Sequence, residues 1–192
     1  MLFRSSGFNN GTLKVDKSSI KIQQLIADRN AIKGNEYRQE VYKWLLHNTA
    51  LKINQYEVKI GPRGHLIAEN DMGDIDILAI DHKKHIIYSI ECKNTHQAKV
   101  AYEFRMEINT YLGEPPKKGL ISKHINRDKW LHDNKKYVLS NLGLDDRYKI
   151  FSLVVSKHLL PTRYLRPIEL KIISFHELRK NGLPTSIPKL KN

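Results

Sequence analysis

The spacing of apolar residues along the chain predicts helices at its start. From Ser18 onward, apolar residues recur at intervals of three and four, which is the helical period, and Gly34 is predicted to interrupt the helix. A second helix is expected to carry one buried stripe and to end near residues 47–49. The members of that stripe are Tyr37, Val41, Trp44 and Leu45.

Alternation of period two and short apolar runs then predict three strands. Residues 51–60 alternate with one local irregularity, and residues 74–80 and 85–93 form two strongly apolar runs. The polar residues 81–84 between those runs suit the turn of an antiparallel hairpin. We therefore expect the second and third strands to pair directly.

The second half of the chain is predicted to alternate helices with strands. The predicted helices cover residues 98–112 and 126–142, and the predicted strands cover residues 149–156 and 169–173. Ser174 and Glu177 have the Ser-x-x-Glu spacing of a capping box, which predicts a short helix over residues 175–180. The order of elements predicts an α/β domain with a central mixed β-sheet flanked by helices.

The net charge of the chain is unusual, although its share of apolar residues is ordinary. Lys and Arg number 33 against 20 Asp and Glu, which gives a net charge of +13. A positive field of this size attracts polyanions, because bound Lys and Arg release the counterions condensed on phosphates. One basic stretch is predicted to lie along a nucleic-acid backbone. Its members are Lys117, Lys118, Lys123, Arg127 and Lys129.

Cysteine content and hydropathy exclude several other classes of protein. Cys92 is the single cysteine, so no intramolecular disulfide can form, and no Cys/His cluster has the spacing of a zinc site. The first 17 residues lack the apolar run of a signal peptide, and no segment has the length of a membrane span. We expect a cytoplasmic protein with no membrane partner.

Acidic residues and a lysine fall at the facing ends of the predicted hairpin. Folding the chain about its turn sets Asp76 opposite about residues 89–91. Side chains alternate along a strand, so Glu91 and Lys93 share one face, and Asp74 and Asp76 are expected to project together from theirs. The sequence therefore predicts a cluster of two or three carboxylates beside one ammonium group.

Such a cluster suits metal-assisted chemistry on a phosphate. Two adjacent carboxylates repel each other unless a cation lies between them, and their hard oxygen atoms suit Mg²⁺ or Mn²⁺. Lys93 would neutralise the charge that develops on the phosphate. The alternative is structural, with Asp74 binding turn amides and Glu91 and Lys93 forming an exposed pair. The apolar residues around Glu91 disfavour it, because unpaired charges are costly on a central strand.

Asp76, followed by a hairpin and then Glu91-x-Lys93, resembles the PD-(D/E)XK nuclease superfamily. The resemblance implies a restriction-endonuclease-like fold, in which Asp76 and Glu91 bind the metal ion and Lys93 is the catalytic lysine. It also implies a third ligand from the backbone carbonyl of Cys92, with Asp74 as an alternative or additional ligand.

The likeness extends over roughly residues 34–180 and implies the domain organisation. We expect a partly helical N-terminal extension over residues 1–33, a nuclease-like domain over residues 34–182 and a C-terminal tail over residues 183–192. Members of the superfamily often dimerise to cut two strands, so a homodimer is one expected assembly.

Two further roles follow from the resemblance. Members often carry a helix glutamate three residues before an apolar position, and counting back from Val41 leads to Arg38 instead. Glu40 is our preferred substitute and Glu36 is the other candidate, while an ordinary solvated helix charge is the competing interpretation. Gln97 is a candidate helper, because a glutamine often follows the lysine in that superfamily.

The resulting hypothesis is a metal-dependent DNA endonuclease, acting in restriction, defence or repair. It would hydrolyse phosphodiester bonds with Mg²⁺ or Mn²⁺ as cofactor, and RNA is left open as a second substrate. The alternative is a catalytically inactive module with the nuclease fold that only binds nucleic acid.

Overall fold

The structure is a computed structural model that describes residues 20–95, 97–113, 119–165 and 168–185. Within these residues the strands form one sheet of five and one of three. In chain order the elements are α1 (Ile20–Asn48), β1 (Lys52–Ile53), β2 (Val58–Gly61), β3 (Leu66–Ile67), β4 (Gly73–Ile75), β5 (Ile77–Asp81), β6 (Ile86–Lys93), α2 (Ala101–Leu112), α3 (Leu120–Asp133), α4 (Lys135–Leu142), β7 (Lys149–Ser156), α5 (Thr162–Leu165), β8 (Lys171–Ser174) and α6 (Phe175–Asn181).

The larger sheet is mixed, with the strand order β1-β5-β6-β7-β8. β5 is antiparallel to both β1 and β6, whereas β6, β7 and β8 run parallel. Every residue of the central strand β6 is buried except Lys93, which is half-buried. The predicted α/β class, the mixed sheet and the central position of this strand are all confirmed.

Each face of the larger sheet is covered by helices, because β6 is apolar on both sides. Its even-numbered residues, such as Tyr88 and Ile90, pack with Tyr37 and Val41 of α1 and with α6. Ile87 faces the opposite side, where α3 and α4 pack. Glu91 lies on the same face as Ile87, so its side chain points toward α3.

Two predicted strands are each divided between the two sheets. Within residues 51–60, β1 pairs with β5 in the larger sheet, whereas β2 is the middle strand of the smaller one. The strand predicted over residues 74–80 is likewise divided by a bend at Asp76. β4 pairs with β2, and β5 pairs with β6. Alternation predicts an extended chain but does not identify its partner, so neither division was predicted.

The helices differ from prediction mainly at their ends. α1 is continuous through Gly34, so the predicted interruption is wrong; one glycine costs a helix only about 1 kcal/mol. The helix predicted over residues 126–142 begins earlier, at Leu120, and is divided at Asn134 into α3 and α4. The capping box of Ser174 and Glu177 is confirmed. Within the described residues, no helix combines the length and apolar character that crossing a membrane requires.

Candidate functional site

Asp76 and Glu91 lie side by side where the β5–β6 ladder ends. The last paired residues are Ile77 and Ile90, and one further step along each chain leads to Asp76 and Glu91. Asp76 therefore lies opposite the residue range that the hairpin predicts. The bend at Asp76 then carries the chain into the smaller sheet, so the carboxylate stands at the junction of the two sheets.

The carboxylate of Asp76 replaces a backbone carbonyl in the ladder. Its Oδ2 atom accepts a hydrogen bond of 2.6 Å from the backbone N–H of Cys92. If β5 continued without a bend, the carbonyl of Ile75 would accept at this position, because hydrogen-bonded pairs alternate along antiparallel strands. Burial, followed by repulsion from Glu91, raises the pKa of Asp76 to about 7. The negative charge of Glu91 therefore disfavours the ionised form of Asp76.

Glu91 is a buried carboxylate with a basic partner at each oxygen. Lys93 Nζ lies 2.6 Å from Oε1, and Arg127 Nη1 lies 3.0 Å from Oε2. His124 Nδ1 lies 3.3 Å from the same Oε2 atom. Burial alone would raise the pKa of Glu91, but the positive charges of Lys93 and Arg127 hold it below its usual range. The carboxylate is therefore negative and fixed in orientation.

Helix α3 supplies two of these partners, and sequence analysis missed this arrangement. Its buried face carries Ile121, His124, Arg127 and Leu131, so the two basic residues occupy positions of an otherwise apolar stripe. That spacing is the signal that could have revealed them. Burial lowers the pKa of His124 to about 4, so the imidazole is neutral at pH 7.

The residues predicted to contact nucleic acid differ in their exposure to solvent. Lys123 and Lys129 are exposed on α3, as a backbone contact requires. Arg127 is only 6% exposed and is bound to Glu91, so its prediction as a surface contact is wrong. The helical period explains the difference, because it turns residue 127 toward the sheet. Lys117 and Lys118 lie outside the described residues.

Arg38, the residue at the position where the resemblance implies a glutamate, reaches the site itself. Its Nη1 atom donates to the backbone carbonyl of Asp76 at 3.4 Å, and its Nε atom lies 3.2 Å from Glu57 Oε1. Glu36 and Glu40 are both exposed on α1. A catalytic role for Glu40 and a helper role for Glu36 stay predictions.

Asp74 and Gln97 are the remaining predicted site residues. Asp74 belongs to β4 of the smaller sheet, where it lies opposite Lys59. The prediction that it projects with Asp76 from one strand is therefore wrong, because the bend separates them into different sheets. Its Oδ1 atom is buried without a hydrogen-bond partner in the described structure. Gln97 is exposed in the segment that follows β6, and its helper role stays a prediction.

The oxygen atoms at the junction fit a small divalent cation that keeps much of its hydration. Asp76 Oδ1 lies outside the bond to Cys92, and each oxygen of Glu91 has a second lone pair. The carbonyl of Cys92 faces the Asp76 side, because even-numbered backbone groups of β6 face β5. The described ranges contain no group of three or more His, Cys, Asp or Glu side chains that could hold a metal ion, so the cation would depend on two carboxylates and on water. Mg²⁺ is often bound by one or two carboxylates and several waters.

Comparisons with protein-family models, with curated proteins and with solved structures found no match to this chain. The interpretation of the site therefore depends on its geometry and chemistry.

Proposed function

We propose that this protein is a metal-dependent DNA endonuclease of the PD-(D/E)XK superfamily with a restriction-endonuclease-like fold. One observation carries the proposal: Asp76 lies opposite Glu91 at a strand end, and Lys93 Nζ is 2.6 Å from Glu91. These are the two carboxylates and the ammonium group that the Asp…Glu-x-Lys pattern requires, in the spatial order that it requires. The mixed sheet with helices on both faces supports the same fold.

Each residue of the cluster has a chemical role in phosphodiester hydrolysis. A bound Mg²⁺ or Mn²⁺ would polarise the scissile phosphate and make a water molecule easier to deprotonate. Asp76, Glu91 and the carbonyl of Cys92 are the groups that would hold that cation. The water oxygen would bond to phosphorus as the bond to the leaving oxygen breaks, with the proton of the water released to solvent and the leaving oxygen protonated from solvent. Lys93, whose position is fixed by Glu91, stabilises the negative charge that builds up on the phosphate.

Nucleic acid is the substrate that fits the charge of the chain. A net charge of +13 favours a polyanion, and the exposed Lys123 and Lys129 on α3 can contact its backbone. Half-buried Lys93 marks the end of the central strand, where the site reaches solvent. We propose DNA, double-stranded or single-stranded, as the substrate. RNA is the alternative substrate that the same assay tests.

A non-catalytic nucleic-acid-binding module is the second candidate, and one observation favours it. Lys93 and Arg127 each contact one oxygen of Glu91, so side chains of the protein itself already balance the charge of this carboxylate. A domain that had lost catalysis could keep this arrangement as a buried ion-pair network.

Cleavage assays separate the two candidates. Plasmid DNA, single-stranded DNA and RNA are incubated with Mg²⁺ or Mn²⁺ and the wild-type protein, Asp76→Ala or Lys93→Ala. Lys180→Ala is the matched control, because it removes an exposed lysine from α6, which packs on the face of the sheet opposite to Glu91. The endonuclease proposal requires that the wild type and the control cleave DNA and that the two site variants do not. Binding of DNA without cleavage by the wild type establishes the second candidate.

A further inference from the structure

The cluster around Glu91 contains as many fixed positive charges as carboxylates. Asp76 and Glu91 contribute two negative charges when both are ionised, and Lys93 and Arg127 contribute two positive ones. His124 is the third neighbour of Glu91, with Nδ1 3.3 Å from Oε2. A site of this composition already carries part of the positive charge that phosphate chemistry needs.

Arg127 is held in place by more than its contact with Glu91. Its Nε atom donates to the carbonyl of Met72 at 3.3 Å. Gly73 lies so close that a Cβ atom at that residue would be 3.3 Å from Arg127 Nη2. The guanidinium group is therefore enclosed between α3, β6 and the start of β4. With only 6% of its surface exposed, it is a permanent charge of the site and not a substrate-binding side chain.

Among the described residues, Asp76 and Glu91 offer few free lone pairs for two cations. Each oxygen of Glu91 keeps only one, because Lys93 donates to Oε1 and Arg127 donates to Oε2. Asp76 has one oxygen committed to Cys92. In two-metal sites the ions lie about 3.5–4 Å apart and share ligands between them, which demands more oxygen donors than this junction offers.

We propose that Arg127 supplies the positive charge that a second cation would supply, so that the site binds a single divalent ion between Asp76 and Glu91. The inference rests on the proposed function and adds the metal stoichiometry and a positioning role for Arg127. Arg127 fixes the orientation of Glu91 and adds to the positive field, but it competes electrostatically with the ion that the carboxylates bind.

The test is direct Mn²⁺ binding to the full chain, measured by calorimetry and by the paramagnetic resonance signal of free Mn²⁺. We expect one ion per wild-type chain. Arg127→Gln removes the competing charge, so its Mn²⁺ affinity should rise about tenfold while kcat for DNA cleavage falls about tenfold. Arg127→Lys keeps the charge and should keep the affinity within about threefold of wild type.

Lys129→Gln is the matched control, because it removes an exposed positive charge from the same helix, where solvent and salt screen it. Its Mn²⁺ affinity should equal that of the wild type. A role of Arg127 in folding alone would lower the melting temperature without moving affinity and kcat in opposite directions.

Two ions per wild-type chain would overturn the inference and leave the nuclease proposal standing. Unchanged or weaker Mn²⁺ binding by folded Arg127→Gln would overturn it as well. If Arg127→Gln does not fold, the wild-type stoichiometry and Arg127→Lys still decide the question. A wild-type chain that binds no Mn²⁺, with or without DNA, contradicts the proposed function itself.

Discussion

The Oδ2 atom of Asp76 lies 2.6 Å from the backbone nitrogen of Cys92 and accepts the bond that a strand carbonyl would otherwise accept. This one contact ends the β5–β6 ladder and allows the chain to bend into the smaller sheet. The Oδ1 atom takes no part in that bond, and Glu91 is the neighbour of Cys92 in β6. The switch between sheets and the candidate cation site are therefore the same structural feature.

The repulsion between Asp76 and Glu91 predicts that Asp76→Asn stabilises the protein at neutral and higher pH. Burial and Glu91 raise the pKa of Asp76 from 3.8 to about 7. Between these values the folded chain holds a proton that the unfolded chain has released, so the stability of the fold decreases progressively as the pH rises from about 4 to 7. Asparagine carries no charge and can still accept the bond from Cys92.

Thermal unfolding of the wild type and Asp76→Asn at pH 4 and pH 8 tests the predicted stabilisation by asparagine. We expect a higher melting temperature for the variant at pH 8, by roughly 2–4 °C for each kcal/mol relieved, and a much smaller difference at pH 4. An equal difference at both pH values would show that the charge of Asp76 is not the cause. Saturating Mn²⁺ should reduce the difference at pH 8, because a cation relieves the same repulsion.

Register and burial could be predicted from the sequence where local patterns decide them. The apolar run over residues 149–156 is β7 in the structure, and the four-residue turn places Asp76 opposite Glu91. The helical spacing of His124 and Arg127 with Ile121 and Leu131 could have predicted that they are buried. It could not predict that they face Glu91, because only the packing of α3 on the sheet decides which residue they meet.

Lys93→Met is expected to lower kcat for DNA cleavage by about 10²–10³ while leaving DNA affinity almost unchanged. The substitution keeps the length of the side chain but removes the ammonium group 2.6 Å from Glu91. Loss of one stabilising donor in a catalytic site costs on the order of 10²–10³ in kcat. Single-turnover cleavage at saturating protein and a separate binding titration check the two expectations. A parallel loss of affinity and rate would place Lys93 in substrate binding instead.

Lys129→Ala is expected to have the opposite profile. Lys129 is exposed on α3, so it can contribute to the phosphate interface but not to the chemistry at Glu91. Removing one phosphate contact should weaken binding similarly for different DNA sequences and reduce the slope of log affinity against log salt by about 1. The slope is measured by titrations between low and moderate salt. An unchanged slope would show that DNA does not contact this face of α3.

Arg38→Met is expected to destabilise the junction between α1 and the two sheets. Arg38 is half-buried and connects the carbonyl of Asp76 with the carboxylate of Glu57. Loss of the guanidinium leaves the carbonyl of Asp76 without this donor and removes the ion pair with Glu57, which together should cost about 1–3 kcal/mol in the free energy of unfolding. Glu57→Gln is the comparison, because Glu57 is partly exposed and an exposed ion pair contributes at most about 1 kcal/mol. Urea denaturation measures the free energy of unfolding that each variant loses. A larger loss for Glu57→Gln than for Arg38→Met would contradict the prediction.

Glu177 joins the capping box of α6 to Arg163. Ser174 N and Oγ both donate to Glu177 Oε2 at 2.8 Å, and Arg163 Nη2 lies 2.6 Å from Oε1. Burial alone would raise the pKa of Glu177, but the hydrogen bonds from Arg163 and Ser174 lower it to about 2. Its negative charge therefore stabilises the fold above about pH 4.5, and this contribution is lost as the pH falls toward 2.

Glu177→Gln should consequently be less stable than the wild type at pH 7, with a difference that shrinks between pH 5 and pH 2. Ser174→Ala is the matched control, because it removes a hydroxyl that does not titrate and should cost about 1 kcal/mol. Urea denaturation of the three proteins at pH 2.5, 4 and 7 measures both effects. A difference between wild type and Glu177→Gln that stays constant with pH would mean that the shape of the side chain, and not its charge, holds α6 against the sheet.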